Sequence, residues 1–194
     1  MMMIGKKNFG PGVRFGAMLS ALGAAALLLA SCADDNVAPQ SRPCPQVRVV
    51  QDASYLTRFA GAGEDLTDTS FEARISRSKS LCYYEENRET GTTVVRSEVQ
   101  VEFAASRGPN NPDSAAKFRY RIGVTGPGGQ LLQGDQLLDV EIPFTASKVQ
   151  GVAQDEVFVY TPLQQGENGD FYRIWISLEV TEKELAYNRR NPLQ

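Results

Sequence analysis

Cys32, Cys44 and Cys82 are the side chains of this 194-residue chain with the greatest capacity for covalent chemistry, and the chain holds no histidine. A thiolate is a nucleophile and a metal ligand, but three cysteines without histidine fall short of a four-ligand zinc site. The lack of imidazole also removes the group whose ordinary pKa serves acid–base work near neutrality. A serine nucleophile would then need a lysine or carboxylate base, and Ser76-Arg77-Ser78-Lys79 and Ser147-Lys148 stand at no spacing that makes a dyad. Catalysis is therefore not expected. Glu64-Asp65, Asp68, Asp135 and Asp139 carry the oxygen ligands that calcium takes, yet they lack the alternating positions of a calcium loop and read as solvated turns. Gly126-Pro127-Gly128-Gly129 lacks the glycine spacing and following helix of a phosphate loop, and reads as a hairpin turn. Neither a metal nor a cofactor is expected.

The segment ahead of Cys32 decides what its thiol does. Lys6, Lys7 and Arg14 stand in an acid-free stretch, and residues 15–30 form an apolar run rich in Ala and Leu. As a helix at about 1.5 Å per residue this run reaches roughly 24 Å, short of the ~30 Å hydrocarbon core, so it reads as a signal peptide and not as a permanent span. Leu29-Ala30-Ser31-Cys32 then resembles the bacterial lipobox: an aliphatic residue, two small residues that suit a narrow peptidase cleft, and the cysteine that takes diacylglycerol. The resemblance implies cleavage after residue 31 and acylation of Cys32. Each buried methylene contributes about 0.8 kcal/mol, so two or three chains make a stable anchor. The membrane is thus one partner, through the anchor.

Cleavage there removes three of the 20 basic residues and none of the 23 acidic ones, taking the formal net charge from −3 to −6. A chain so acidic does not suit nucleic acid, whose binding rests on cations that displace phosphate counterions. The expected seat is the periplasmic side of a bacterial envelope membrane. Asp34 and Asp35 directly after the anchor lean the assignment to the outer membrane over the inner.

With Cys32 committed to lipid, Cys44 and Cys82 remain in a compartment that favours oxidation, and one disulfide is the economical reading. Two buried free thiols or a redox pair are the alternatives, although no Cys-x-x-Cys spacing lowers either pKa. Residues 32–45 are the lipidated cysteine and a polar tether broken by Pro39, Pro43 and Pro45. Residues 46–190 form the folded domain.

In that domain apolar residues recur with period two. Val95, Val99, Val101, Phe103 and Ala105 alternate with Arg96, Glu98, Gln100 and Glu102, which puts one face of a pleat inside and the other in water. Phe71, Ala73 and Ile75 follow the same rule, as do Phe118, Tyr120, Ile122 and Val124, and Tyr172, Ile174, Ile176, Leu178 and Val180. Further strands are predicted at 46–51, 81–85, 130–133, 138–144 and 156–161, with Pro143 demoting its strand to an edge. Turn signals separate them at 87–91, 108–112, 126–129 and 166–170. No amphipathic helix of ten residues lies between strands, which disfavours parallel βαβ units. Seven to nine strands fit an all-β, antiparallel two-sheet sandwich of immunoglobulin or fibronectin type, with a small barrel as the alternative. Thr181 and Glu184 stand at capping-box spacing for a helix of a turn or two.

Trp175 falls on the row opposite the aliphatic residues of its strand. With Arg173 and nearby Tyr172 it makes a candidate binding patch for a sugar or a protein, against the blander alternative that it packs under a loop or belongs to the core in a shifted register.

Cys44-Pro45 with Asp52-Ala53, Leu56-Thr57-Arg58-Phe59, the stretch from Gly61 to Asp68, Phe71-Glu72-Ala73-Arg74-Ile75, Cys82-Tyr83-Tyr84, Arg107-Gly108-Pro109 and Leu185-Ala186-Tyr187-Asn188-Arg189 together resemble a group of small uncharacterised bacterial lipoproteins of alphaproteobacterial type. The resemblance implies a lipidated periplasmic domain with the Cys44 and Cys82 pair, and brings no activity or ligand with it. The expected function is a non-enzymatic envelope lipoprotein whose domain binds another protein or assists assembly, with glycan or small-ligand binding as the alternative.

Overall fold

A computed structural model describes residues 42–193 apart from 62, 133 and 134. The signal peptide, the lipobox Leu29, Ala30, Ser31 and Cys32, and the tether up to residue 41 lie outside the described residues.

Eight strands and one helix follow in order: β1 (Gln46–Val49), β2 (Tyr55–Phe59), β3 (Thr69–Glu86), β4 (Thr93–Arg107), β5 (Ala115–Thr125), β6 (Gln136–Pro143), β7 (Gln150–Leu163), β8 (Arg173–Leu178) and α1 (Glu182–Arg190). They form two four-stranded sheets, β1-β8-β5-β6 and β2-β3-β4-β7, packed face to face. Each sheet ends in two edge strands, so the architecture is an open β-sandwich and not a barrel. All neighbours are antiparallel except β1 and β8, which pair in parallel from Gln46 opposite Arg173 to Val49 opposite Ile176. A parallel pair needs a long connection, and here nearly the whole domain lies between its members.

The core sits between the sheets. Leu56, Val99, Val101 and Phe103 from one sheet meet Tyr120, Ile122, Ile142, Ile174 and Ile176 from the other. The Phe103 ring lies edge-on to Phe118 at 5.7 Å and tilted against Tyr120 at 4.9 Å. Each such side chain contributes roughly 1.5–3 kcal/mol by leaving water. The predicted alternation of β4 holds, with Val95, Val99, Val101, Phe103 and Ala105 buried.

Three elements differ from expectation. The runs at 71–75 and 81–85 are one 18-residue strand, β3. Its register with β4 slips between Ile75 and Arg77, leaving Ser76 as a bulge, and the extra residue moves the inward row from Phe71 and Ala73 to even positions such as Ser78 and Cys82. The short β2 had no period-two signal because both its faces are covered: Leu56 enters the core, while Tyr55 and Phe59 meet α1. Of the strand expected at 130–133, residues 130–132 hold an isolated bridge of Leu131 to Thr125 instead, and residue 133 lies outside the described residues.

The helix carries the expected capping box, with Glu184 N–H donating to Thr181 Oγ1 at 3.2 Å and Thr181 N–H to Glu184 Oε2 at 2.7 Å. Its placement has a consequence for the sheets, because α1 covers the β2 edge. Tyr55 hydroxyl donates to the carbonyls of Asn188 and Asn191, and Asn188 Nδ2 donates to the carbonyls of Asp52 and Tyr55. The β1 edge is four residues long, and β6, as the sequence predicts, is an edge strand ending at Pro143. The 14-residue β7 is the long edge left open.

Candidate functional site

Cys44 and Cys82 are joined in a disulfide, with Cα atoms 5.8 Å apart, so the free-thiol readings fall away. Two further ties hold the same entry point. Tyr84 hydroxyl donates to the Pro43 carbonyl at 2.6 Å and accepts from Gly169 N–H at 2.9 Å. Arg42 pairs with Glu86 at 2.7 Å and lies 4.9 Å over the Tyr84 ring. The close approach requires glycine at 169, since a Cβ there would stand 2.5 Å from the Pro43 carbonyl oxygen. Residues 42–45 are thus strapped to β3 and to the turn before β8, and chain arriving from residue 41 meets a fixed point.

On the outer face of the β1-β8-β5-β6 sheet Trp175 is 38% exposed, as its place opposite the aliphatic row predicts, and its indole N–H donates to Thr125 Oγ1 at 2.9 Å. Arg48 faces it across the parallel pair and Arg173 stands two residues before it on the same face. Arg48 bonds Gln46, and Arg173 bonds the carbonyls of Asp170 and Tyr172. Neither guanidinium has a carboxylate partner among the described residues. Tyr172 does not join this patch. It is 2% exposed, because its position continues the inward row of Ile174 and Ile176, and its hydroxyl donates to Glu167. Burial, and then the Glu167 carboxylate, push its pKa up to about 12.

The opposite outer face, on β2-β3-β4-β7, carries a larger apolar surface. Leu81 and Tyr83 on β3 and Phe158 and Tyr160 on β7 are exposed, from 45% to 64%. Register lines them up: Tyr83, Arg96 and Tyr160 form one row across three strands, and Leu81, Glu98 and Phe158 the next. The Arg96 guanidinium lies 4.8 Å from the Tyr83 ring centroid and 5.7 Å from that of Phe158. Glu85 and Glu98 hold it at 2.8 and 2.7 Å, and the Glu85 hydrogen bond above all raises its pKa. The result is a platform of aromatic rings around a charge already neutralised from within its own sheet.

No family model, curated protein or solved structure matches this chain. The site therefore rests on its geometry.

Beside the platform the two sheets part. At one end of β7, Gly151 lies so close to β6 that an added Cβ would stand 2.4 Å from Ile142 Cγ2. Toward the other end they splay, leaving a cleft of about 580 Å³ walled by Val124, Leu132, Val159, Leu163, Tyr172 and Gln136. All its walls are uncharged, which suits a neutral, largely apolar occupant.

Of the acidic residues singled out from sequence, Glu64 pairs with Arg190 and Lys183, and Asp135 with Arg121. Among the described residues no three of Asp, Glu, Cys and His stand together as metal ligands would. Gly126-Pro127-Gly128-Gly129 is the predicted turn, with Gly126 N–H bonded to the Gln130 carbonyl.

Sequence reasoning missed the aromatic platform. Its signal was present in Val157-Phe158-Val159-Tyr160, four apolar residues in succession on an edge strand that has only one face to bury.

Proposed function

We propose that this chain is a non-enzymatic lipoprotein of the bacterial envelope, anchored through Cys32 to the periplasmic leaflet, with the outer membrane favoured, and that its sandwich binds another envelope protein. The observation that carries the binding reading is the platform of Leu81, Tyr83, Phe158 and Tyr160. Exposed tyrosine and phenylalanine rings flanking an arginine are the composition of protein interfaces, which are enriched in aromatic residues and arginine relative to the rest of the surface. The disulfide supports an oxidising compartment. Strapping of residues 42–45 supports a tethered role, because it gives the anchored chain a defined exit from the domain.

Crosslinking in intact envelopes, followed by capture of this chain, tests the reading. One stoichiometric partner is expected, recovered at least about tenfold less by the Tyr83→Ser, Tyr160→Ser double variant, as loss of two interface aromatics predicts. Equal recovery by the variant would refute it. Fractionation of a Cys32→Ala variant tests the anchor: the wild-type chain stays with membranes and the variant enters the soluble fraction.

A second reading has one observation in its favour. Trp175 between Arg48 and Arg173, neither of them ion-paired among the described residues, suits a sugar ring bearing an anionic group. Sedimentation with peptidoglycan that Trp175→Ala abolishes would favour it over the first.

A further inference from the structure

We infer that the partner segment is an extended strand that adds to the open edge of β7 at Phe158 and Tyr160. The inference rests on the protein-binding reading above and specifies its mode. In the β4–β7 ladder, Arg107 N–H donates to the Val149 carbonyl at 2.7 Å just before the pair of strands begins. That fixes the phase: odd-numbered β7 residues bond β4, and even-numbered ones turn N–H and C=O to the open side.

Two residues corroborate the phase. Glu156 N–H, an even position, donates to Asp155 Oδ1 at 2.9 Å instead of to β4. Pro162, which has no N–H to give, falls on the open side as well, where edge prolines belong. Between these two guarded positions the amides of Phe158 and Tyr160 have no backbone partner among the described residues. The β2 edge lies under α1, and the β1 edge is four residues long. β6 carries Asp139 and Glu141 at its open positions, charges that discourage pairing. This apolar window is therefore the stretch of edge most open to pairing.

An added strand there would send alternate side chains to opposite sides. One set enters the uncharged cleft between Val159, Leu163, Leu132 and Val124. The other set lies beside Phe158 and Tyr160 on the outer platform. Charge selects the occupant further. β7 carries Asp155 and Glu156 and no Lys or Arg between Gln150 and Leu163, so a strand with a cation outside its apolar positions is complementary. A second copy of this chain is not, since β7 against β7 joins two acidic strands. Centred on the window, it also sets Glu156 opposite Pro162, where neither offers a free N–H.

The test uses the full-length chain in detergent and a fluorescein-labelled peptide of about eight residues, valine alternating with threonine, with lysine at each end. Fluorescence polarisation is expected to show saturable binding. N-methylation of the alternate amides that face β7 weakens it at least about tenfold, the scale of one or two lost hydrogen bonds, while N-methylation of the other set does not. Glu156→Lys weakens it as well. Equal loss with both methylation patterns overturns strand addition. So does failure of the probe to bind a chain that still captures its envelope partner, an outcome that leaves the protein-binding reading standing. Concentration-dependent dimerisation without probe, with Phe158 and Tyr160 amides protected from exchange, would assign the edge to a second copy and overturn the inference too.

Discussion

Tyr120 on β5 and Asp155 on β7 are bonded across the sandwich, the phenol donating to Asp155 Oδ2 at 2.8 Å. The same carboxylate takes the Glu156 N–H on its other oxygen. One acidic side chain therefore anchors a buried tyrosine and closes one position of an otherwise open edge. A charge pointing inward from an edge strand also discourages unselective pairing there.

Removing the phenol tests that tie. Tyr120→Phe keeps the ring between Phe103 and its neighbours but leaves Asp155 Oδ2 without its donor. The expected loss is about 1–3 kcal/mol in chemical denaturation, with an unchanged denaturant slope. A loss below a few tenths would show that water replaces the phenol without cost.

The same group gives a pH dependence. Burial, and then Asp155, raise the Tyr120 pKa, and burial with Glu167 raises that of Tyr172 to about 12. Folding thus favours the neutral phenols over their anions. A raised folded-state value contributes stability that is whole below the unfolded tyrosine pKa of about 10 and is lost as pH rises through the folded value. The denaturation midpoint should fall between pH 10 and about 12, and the Tyr120→Phe, Tyr172→Phe double variant should fall less over that interval.

Most of the sandwich was readable from period two, and the exceptions share a cause. β4, β5 and β8 each have one buried and one wetter face, so their alternation is clean. β2 has two covered faces, and Tyr55, Leu56 and Thr57 are buried in succession, which erases the period. β3 has a clean period in two phases separated by the bulge at Ser76, so it reads as two strands. The parallel pairing of β1 was not legible, because the groups that set it belong to β8, far along the chain.

For the sites, the readable features were local in sequence. Trp175 was placed outside because its neighbours on both sides declared the face, whereas Tyr172 carries the polar hydroxyl of a surface residue and the position of a core one. The platform depends on register between β3, β4 and β7, and no spacing within one strand announces that Tyr83, Arg96 and Tyr160 share a row.

Trp175 is the chain's single tryptophan, so its fluorescence reports the outer face directly. Native protein should emit at a wavelength typical of a partly solvated indole and be quenched by acrylamide. Trp175→Ala should change stability little, since the side chain lies outside the core. A blue-shifted, unquenched emission would mean that the face is covered.

The α1 cover of the β2 edge depends on Asn188, a side chain 1% exposed whose amide donates to two backbone carbonyls. Asn188→Ala leaves the Asp52 and Tyr55 carbonyls without those donors. A loss of about 2 kcal/mol or more is expected. The weaker contact of Thr181, at the start of the helix, should cost about 1 kcal/mol on Thr181→Ala. Hydrogen exchange in β2 should accelerate in the first variant more than in the second, because Asn188 bonds β2 itself and Thr181 only begins the helix.

Severing the Cys44–Cys82 bridge acts on both states of the chain. In the unfolded state it frees a loop spanning 38 positions, which the chain-entropy model values at about 4 kcal/mol. In the folded state the Tyr84 and Arg42 ties remain, so β1 is loosened and not lost. Cys44→Ser with Cys82→Ser should therefore lower stability by about 2–4 kcal/mol, while amide exchange rises first at Gln46, Arg48 and Val50, whose N–H groups face β8 in the parallel ladder. β8, which keeps β5 as its other neighbour, should hold its protection. If β8 exchanged as fast as β1, the bridge would be supporting the whole sheet and not merely the point where the tether enters it.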